Sequence, residues 1–475
     1  MKKAEAIKNA GDKNMHKHSV AVFVTLAVLF ASCEGWIAVP APDTDIMRED
    51  VFEDDATAQA ALAHIYGQLT PSAGFANGAL VICLGAYTDE LTSYTPSASS
   101  NDVVPFYFNT VVPANSMVSS TWGTCYSAIY SANLFMEGLA ASKLSAPLKK
   151  QLQGEALFIR AFCHFYLVGL FGDVPLVTTS DYRVNAKASR TPEAQVYAGI
   201  IADLVEAKDL LSDSYPSDGR VRANRGAATA LLARTYLYAG IFVNAEAQAT
   251  EVIGKTNQYR LQQDDLNTVF LNTSEEAIWQ LLPEGLASTN SYTYEGSVFI
   301  LLAPPTRVAL RNELLNAFED GDQRKASWVS SFTSSSGLST WYYPFKYKQN
   351  HLNATGAENV MVLRLAEQYL IRAEARVKQD KLTEAQGDLD IIRGRAGLAS
   401  TAASSKEELL AAIEHERRVE FFAEFGHRFF DLKRLDRLDA VMPAVKATWR
   451  SFNAQLPLPQ SEILINKNLE QNPGY

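Results

Sequence analysis

The chain has 475 residues and a formal net charge of −10. Without residues 1–32, which carry five lysines and two acidic residues, the balance is −13. That balance argues against a nucleic-acid partner, whose phosphates need a basic footprint, and against adsorption on anionic lipid. Four cysteines exclude a disulfide-stapled scaffold, and the length suffices for a large core.

The first predicted element is an export signal over residues 1–32. Lys13, His16, Lys17 and His18 precede the apolar run 19–32, which ends in Ala31-Ser32-Cys33. A basic segment, a short apolar stretch and small residues before a cut site describe such a signal. The run is too short to cross a bilayer core, which takes roughly 20 apolar residues. Its end looks like a bacterial lipobox, with Phe30 where Leu is usual, so cleavage is expected to leave Cys33 as a lipid-bearing N-terminus. An ordinary secretory cut near Ala31, leaving Cys33 a plain thiol, is the alternative. Met15 stands as a second candidate initiator, giving Met-His-Lys-His before the apolar run. Residues 33–50, with Pro40, Pro42, several acids and no periodicity, read as the lipidated cysteine and a flexible tether.

Residues 51–475 read as one domain dominated by helical periodicity. Residues 57–69 place Ala60, Ala61, Ile65 and Leu69 on one face. Residues 122–139 and the long apolar stretch 147–171 follow, the latter stopped by Gly172 and Pro175. A helix over 192–211 starts after Thr191, an N-cap with proline at the first helical position. Residues 225–240 pair with 244–254, and 363–379 with 382–394. Alanines at close-packing positions in both pairs resemble tetratricopeptide repeats, although the period is irregular. Two insertions break the pattern. Residues 75–121 are rich in Ser, Thr, Asn, Pro and Tyr. Residues 259–360 hold strand-like runs at 277–281 and 297–302 and a Ser/Thr-rich loop at 330–340. The expected fold class is mainly α: a tetratricopeptide-like helical-pair scaffold with large irregular loop insertions and a few short strands. Binding is expected in the insertions, because loops on a rigid scaffold carry most binding residues.

No catalytic constellation appears: there is no serine nucleophile elbow, Walker loop or dinucleotide fingerprint. Seven histidines lack metal-ligand spacing, and His164 and His415 read as packed residues. Glu416 and Glu420, four apart on one helix and flanked by Arg417 and Arg418, read as a structural ion network. No cofactor, metal or catalytic residue is expected.

Several segments together resemble one family. They are Gly154-Glu-Ala-Leu-Phe-Ile-Arg-Ala161 leading to Leu170-Phe-Gly-Asp-Val-Pro-Leu176; the Ala-Leu-Leu-Ala-Arg-Thr-Tyr-Leu-Tyr core within 227–238; and Arg364-Leu-Ala-Glu-Gln-Tyr-Leu-Ile-Arg-Ala-Glu-Ala375 with Ile392-Arg-Gly-Arg-Ala-Gly397. Others are Ile413-Glu-His-Glu-Arg-Arg-Val-Glu-Phe-Phe422 with Gly426-His-Arg-Phe-Phe-Asp-Leu-Lys-Arg434, then Leu456-Pro-Leu-Pro459, Glu462-Ile463 and Gln471-Asn-Pro-Gly-Tyr475. Trp122, Tyr126, Ala132 and Asn133 match a further Trp-x-x-x-Tyr and Ala-Asn pattern. Over residues 33–475 the chain resembles the SusD/RagB family of outer-membrane nutrient-binding lipoproteins. Physically, these motifs read as structural. Glu155 and Arg160 are expected to pair with each other. Glu367, Arg372 and Glu374 should bridge neighbouring helices, and Arg428, Asp431 and Arg434 should lock the last helix to the body.

The resemblance implies a surface-exposed lipoprotein, held in the outer membrane by its lipid alone, that caps a TonB-dependent β-barrel transporter. It would capture oligosaccharide, or less often peptide, and pass it to the pore without breaking a bond. Sugar binding needs flat aromatic faces with polar groups beside them. The candidates are Tyr87, Asp89, Tyr94 and Asn101 in the first insertion and Tyr292, Tyr294, Trp341 and Tyr342 in the second, with Trp341 foremost. Two other classes compete. A helical-repeat scaffold that binds only proteins needs neither a lipobox nor Tyr-rich insertions. A glycan-cleaving enzyme needs opposed carboxylates roughly 5–9.5 Å apart in a cleft, for which Asp89, Glu90 and Glu295 are the candidates.

Overall fold

Several helices in this chain begin where a side-chain acceptor closes the first turn. The computed structural model describes residues 50–72, 74–96, 103–283 and 291–475, so Cys33, most of the tether and Asn101 lie outside the described residues. Helix α1 (Asp55–Gln68) is capped by the Asp54 carboxylate, which accepts from Ala56 N and Thr57 N. A π-helical turn (Phe75–Ala79) leads into α2 (Leu80–Tyr87), in which every residue is buried. Residues 75–87 are therefore a core helix and not part of an irregular insertion. With no polar face, α2 carries no amphipathic signal in the sequence.

After β1 (Leu91–Ser93) and α3 (Val103–Tyr107) come two 26-residue helices, α4 (Ser116–Ala141) and α5 (Ala146–Phe171). Helix α5 is long and apolar enough to cross a membrane, but its apolar window is wholly buried among other elements. It ends at Gly172, whose φ of 73° suits the residue without a Cβ. The short α6 (Tyr182–Asn185) precedes α7 (Glu193–Leu210). Thr191 does not cap α7; it forms an isolated β-bridge with Val174, and Asp173 Oδ1 accepts from Glu193 N at 2.8 Å instead. Helices α8 (Arg225–Tyr238) and α9 (Phe242–Ile253) form the first expected pair.

The second insertion is clasped at its base. Strand β2 (Ala277–Leu281) pairs antiparallel with β6 (Val360–Arg364), and all ten residues are buried. Between them run α10 (Tyr294–Phe299), β3 (Val308–Leu310), α11 (Asn312–Leu315), α12 (Gln323–Trp328), β4 (Val329–Thr333) and β5 (Thr340–Pro344). Residues 297–302, expected as a strand, are the end of α10 and a bend. Thr293 caps that helix by accepting from Gly296 N, and so short an apolar run does not distinguish helix from strand. The expected loop at 330–340 is a hairpin, with only its middle forming the turn.

Helix α13 (Leu365–Lys378) then resumes the helical row with α14 (Leu382–Arg395), α15 (Lys406–Glu420), α16 (His427–Arg434), α17 (Leu438–Val445) and α18 (Gln460–Ile465). Packing runs in sequence: α4 on α5, α5 on α7, α7 on α8, α8 on α9, α9 on α13, α13 on α14 and α14 on α15. The described residues from Phe52 to Tyr475 form one compact unit. Its mainly α architecture, with three two-stranded sheets among the described residues, is the fold class expected from the sequence.

Buried ion pairs tie the row together. Glu367 pairs with Arg234 on α8, Arg372 with Asp388 on α14, and Glu374 with Arg434 on α16, so all three α13 residues bridge helices. Arg428 and Asp431 tie α16 to Asp89 and Arg417, but α16 is not the last helix expected, since α17 and α18 follow it. Glu155 and Arg160, however, do not pair. Five residues apart on a helix, they point roughly 140° away from each other. Glu155 binds Arg222 and Tyr66, and Arg160 binds Asp203 and Asn133. Cys125 and Cys163 are buried free thiols, and Cys83 is buried as well. His164 is buried and pushed down to about 3 by burial first and the nearby Arg160 second, with Nε2 accepting from Val177 N.

The densest network centres on Glu420. Its carboxylate accepts from Arg364 Nη1 at 2.5 Å, from Arg395, and from Arg324 Nη1 at 2.9 Å. Burial opposes its charge, but the three guanidiniums outweigh it and hold the carboxyl well below the usual range. Glu416 joins through Arg324 at 2.6 Å, whereas the adjacent Arg417 and Arg418 turn to Asp431 and Asp89. Removing one member of such a buried cluster leaves the others uncompensated, which costs about 3–5 kcal/mol. Glu420→Gln is expected to lower unfolding stability by about that amount in urea titration; an unchanged midpoint and slope contradicts the hub.

Candidate functional site

The site is assembled by a small sheet. Strands β1 and β3 pair with Leu91 opposite Leu310 and Ser93 opposite Val308, and the ladder extends one step as Tyr94 N donates to Arg307 O at 2.8 Å. Strand β3 also packs against β5 of the hairpin. This brings Tyr94, from the first insertion, to Trp341 in the second, about 250 residues away in sequence. Tyr94 is 40% exposed. Partial burial raises its phenol above the ordinary value, and the neighbouring Trp341 indole offsets part of that rise. Trp341 is half-buried and stacked on its cross-strand neighbour Phe332, with ring centroids 6.3 Å apart and planes at 28°. Tyr342, 42% exposed, follows Trp341 directly on β5, so strand alternation sends it to the opposite face.

The other wall comes from α10. The Tyr294 ring lies over Gly78, whose φ of 93° and lack of a Cβ both make room for it. Asn77 Oδ1 accepts from Tyr294 N at 3.1 Å. Arg307 Nη1 donates to the Tyr294 hydroxyl at 2.5 Å, and the guanidinium carbon lies 5.6 Å from the ring centroid. Tyr294, Arg307, Asn350, His351 and the Leu302–Pro305 stretch line a cleft of about 400 Å³. Tyr292 packs edge-on against His351 at 6.4 Å.

Four of the eight ligand candidates, Tyr94, Trp341, Tyr292 and Tyr294, thus gather around one small sheet and its adjoining cleft, and Tyr342 stands behind them. Asn101 lies outside the described residues. Tyr87 and Asp89 are a correction: both are buried. Tyr87 donates to Asn453 O at 2.9 Å, and Asp89 is gripped by Arg428 and Arg418. Neither has a face to offer a ligand. Glu90 and Glu295 are likewise buried, so none of the carboxylates considered for glycan cleavage lines the cleft. Arg307, Asn350, His351 and Phe332 were not legible as site residues, since nothing in their spacing distinguishes them from other insertion residues.

A second cleft of about 670 Å³ lies on the helical side. Trp122, Tyr126 and Tyr130 of α4, Tyr182 of α6, and Glu462, Ile465 and Leu469 line it. Tyr182 is 74% and Ile465 77% exposed, and Val184 and Leu464 beside them are also exposed. Two sequence motifs over 300 residues apart, Trp122-x-x-x-Tyr126 and Glu462-Ile463, meet here.

Glu295 sits directly behind Tyr294. Burial lifts it to about 7, with backbone N–H groups of Glu295 and Gly78 offsetting part of the rise. A carboxyl whose folded value exceeds its unfolded value keeps a proton that the unfolded chain releases, so stability falls as pH rises from about 4.5 to about 7. Glu295→Gln is expected to melt higher than the parent at pH 8, with the gap closing towards pH 5. Thermal melts at the two pH values check this, and a gap independent of pH contradicts it.

Two models of one family match the chain: one described as starch-binding associating with outer membrane over residues 41–237, the other as SusD family over residues 289–475. A SusD-like protein (P2) of Formosa agariphila is 29% identical over 97% of this chain and 100% of its own length. The starch-binding protein SusD of Bacteroides thetaiotaomicron is 25% identical over 68% of this chain and 72% of its own. Among solved structures, a laminarin binding SusD-like protein superposes with a TM-score of 0.76 at 26% identity, covering 89% of this chain and 100% of that one. A SusD superfamily protein of Bacteroides vulgatus shares the fold, with a TM-score of 0.79 at 23% identity over 89% of this chain and 100% of the other.

Proposed function

Because the chain belongs to the SusD/RagB family, we propose that it is a non-catalytic, lipid-anchored surface protein that captures oligosaccharide and hands it to a TonB-dependent outer-membrane transporter. The observation that carries this reading is the convergence of Tyr94 and Trp341, from two separate insertions, beside a cleft walled by Tyr294. Aromatic faces suit the C–H-rich faces of pyranose rings, and Arg307, Asn350 and His351 offer polar groups for hydroxyls. A preformed cleft on a rigid scaffold also loses little entropy on binding. That relatives are named for starch and for laminarin supports a glycan as the ligand class. Cys33 supplies the lipid anchor in this reading, and residues 33–50 supply the tether.

The helical-side cleft supports the transporter as partner. Tyr130, Tyr182, Val184, Leu464 and Ile465 make an exposed apolar cluster around it, and such clusters mark protein contacts. This surface is built from residues separate from the Tyr94–Trp341 face, so capture and docking can proceed together.

Trp341→Ala is expected to weaken binding of the cognate oligosaccharide about tenfold, the loss of one stacking platform worth roughly 1–1.5 kcal/mol. Calorimetry with laminarin and malto-oligosaccharides measures this, and unchanged affinity for whichever of them binds contradicts the site. The double variant Tyr182→Ala, Ile465→Asp is expected to bind glycan like the parent while losing co-purification with the β-barrel. A barrel that still co-purifies moves the docking surface elsewhere.

A further inference from the structure

Resting on the reading of the cleft as a glycan site, we propose that it selects anionic glycans, chains bearing carboxylate or sulfate groups, and that Arg307 reads the charge. The other described arginines are all held by carboxylates or backbone carbonyls. Arg234, Arg324, Arg364, Arg395, Arg417, Arg428 and Arg434 all pair with carboxylates. Arg190, Arg220, Arg260 and Arg450 lack a carboxylate but donate to backbone carbonyls. Among the described residues, Arg307 has neither kind of partner. Its single side-chain hydrogen bond goes to the Tyr294 hydroxyl, its Nε has no partner, and its Nη2 meets no acceptor among the described residues. Among the described residues it is the one arginine with neither a carboxylate nor a backbone carbonyl to hold it, although the chain's net charge is −10.

Its surroundings fit one. Arg307 lines the cleft, and no Asp or Glu is among the cleft-lining residues described. The Tyr294 hydroxyl holds the guanidinium at one nitrogen, so the group is partly pre-set and less side-chain entropy remains to be lost. The remaining N–H groups can fork onto a carboxylate or a sulfate, a geometry that neutral hydroxyls cannot match in strength. Tyr294 and the nearby Tyr292 would carry the sugar rings. The acidic surface elsewhere does not forbid an anionic ligand, because charges beyond about 8 Å are screened at physiological salt.

The test compares three oligosaccharides of equal length on the purified protein by calorimetry: a neutral glucan, an oligouronate and a sulfated glycan. At least one anionic chain is expected to bind about tenfold or more tightly than the neutral one, since a charge-assisted pair is the stronger bond. That preference should shrink as salt is raised from about 50 to about 500 mM. Arg307→Gln is expected to bring the anionic-to-neutral affinity ratio close to one, while Arg307→Lys keeps part of it; melting curves verify that both variants fold. The uronate and sulfate arms tell the two anions apart. If only neutral glycans bind, the charge selectivity is overturned and glycan capture stands. If no glycan of any kind binds, both fall. A ratio unaltered in Arg307→Gln, or by salt, removes Arg307 from the role.

Discussion

A buried carboxylate needs counter-charges, and meeting that need at Glu420 organises this protein. Arg364 reaches it from the end of the β2–β6 clasp, Arg395 from the end of α14, and Arg324 from the start of α12. Arg364 and Arg395 also share Glu276, and Arg364 grips Glu424, which in turn binds Lys346 at 2.5 Å. Each charge is tolerable in the core only because the others are present. The cluster therefore closes as a unit or not at all.

The consequence for the site is geometric. Arg324 lies just before the hairpin that carries Trp341, and Lys346 lies just after it. Both ends of the hairpin are thus nailed to α15 and the turn after it. The β2–β6 clasp sets where the whole insertion leaves the helical row. Strand β3 then joins β1 and delivers Tyr94 to the same place. The aromatic face sits on loops but is positioned by buried charge.

Scaffold and site divide the residues between them. The segments by which the family can be recognised, around Glu155, Arg234, Glu367, Glu420 and Asp431, are engaged in ion pairs inside the molecule. The exposed aromatics lie outside those segments, on the insertions. This arrangement lets one helical row carry different ligand surfaces without disturbing the core. The helical-side cleft is the exception, because recognisable motif residues, Trp122, Tyr126 and Glu462, line it directly.

Helix pairs were legible in the sequence because apolar spacing at 3.6 residues is a local property. So was the role of Glu367, Arg372 and Glu374 as bridges, since polar residues on an apolar helix face must find partners across it. Identities of partners were not legible: Glu155 and Arg160 find Arg222 and Asp203, and Asp173 rather than Thr191 starts α7. Helix α2 was hidden by its uniform apolarity, which also buried Tyr87. By itself, the sequence determined the helical scaffold and where its aromatics lie along the chain, because periodicity and composition are set along the chain. Only the tertiary structure decided which aromatics share a face, that Asp89 is an ion-pair residue, and that Arg307 stands without a counter-charge among the described residues. Those depend on strand pairing and burial between residues hundreds of positions apart, which no local pattern encodes.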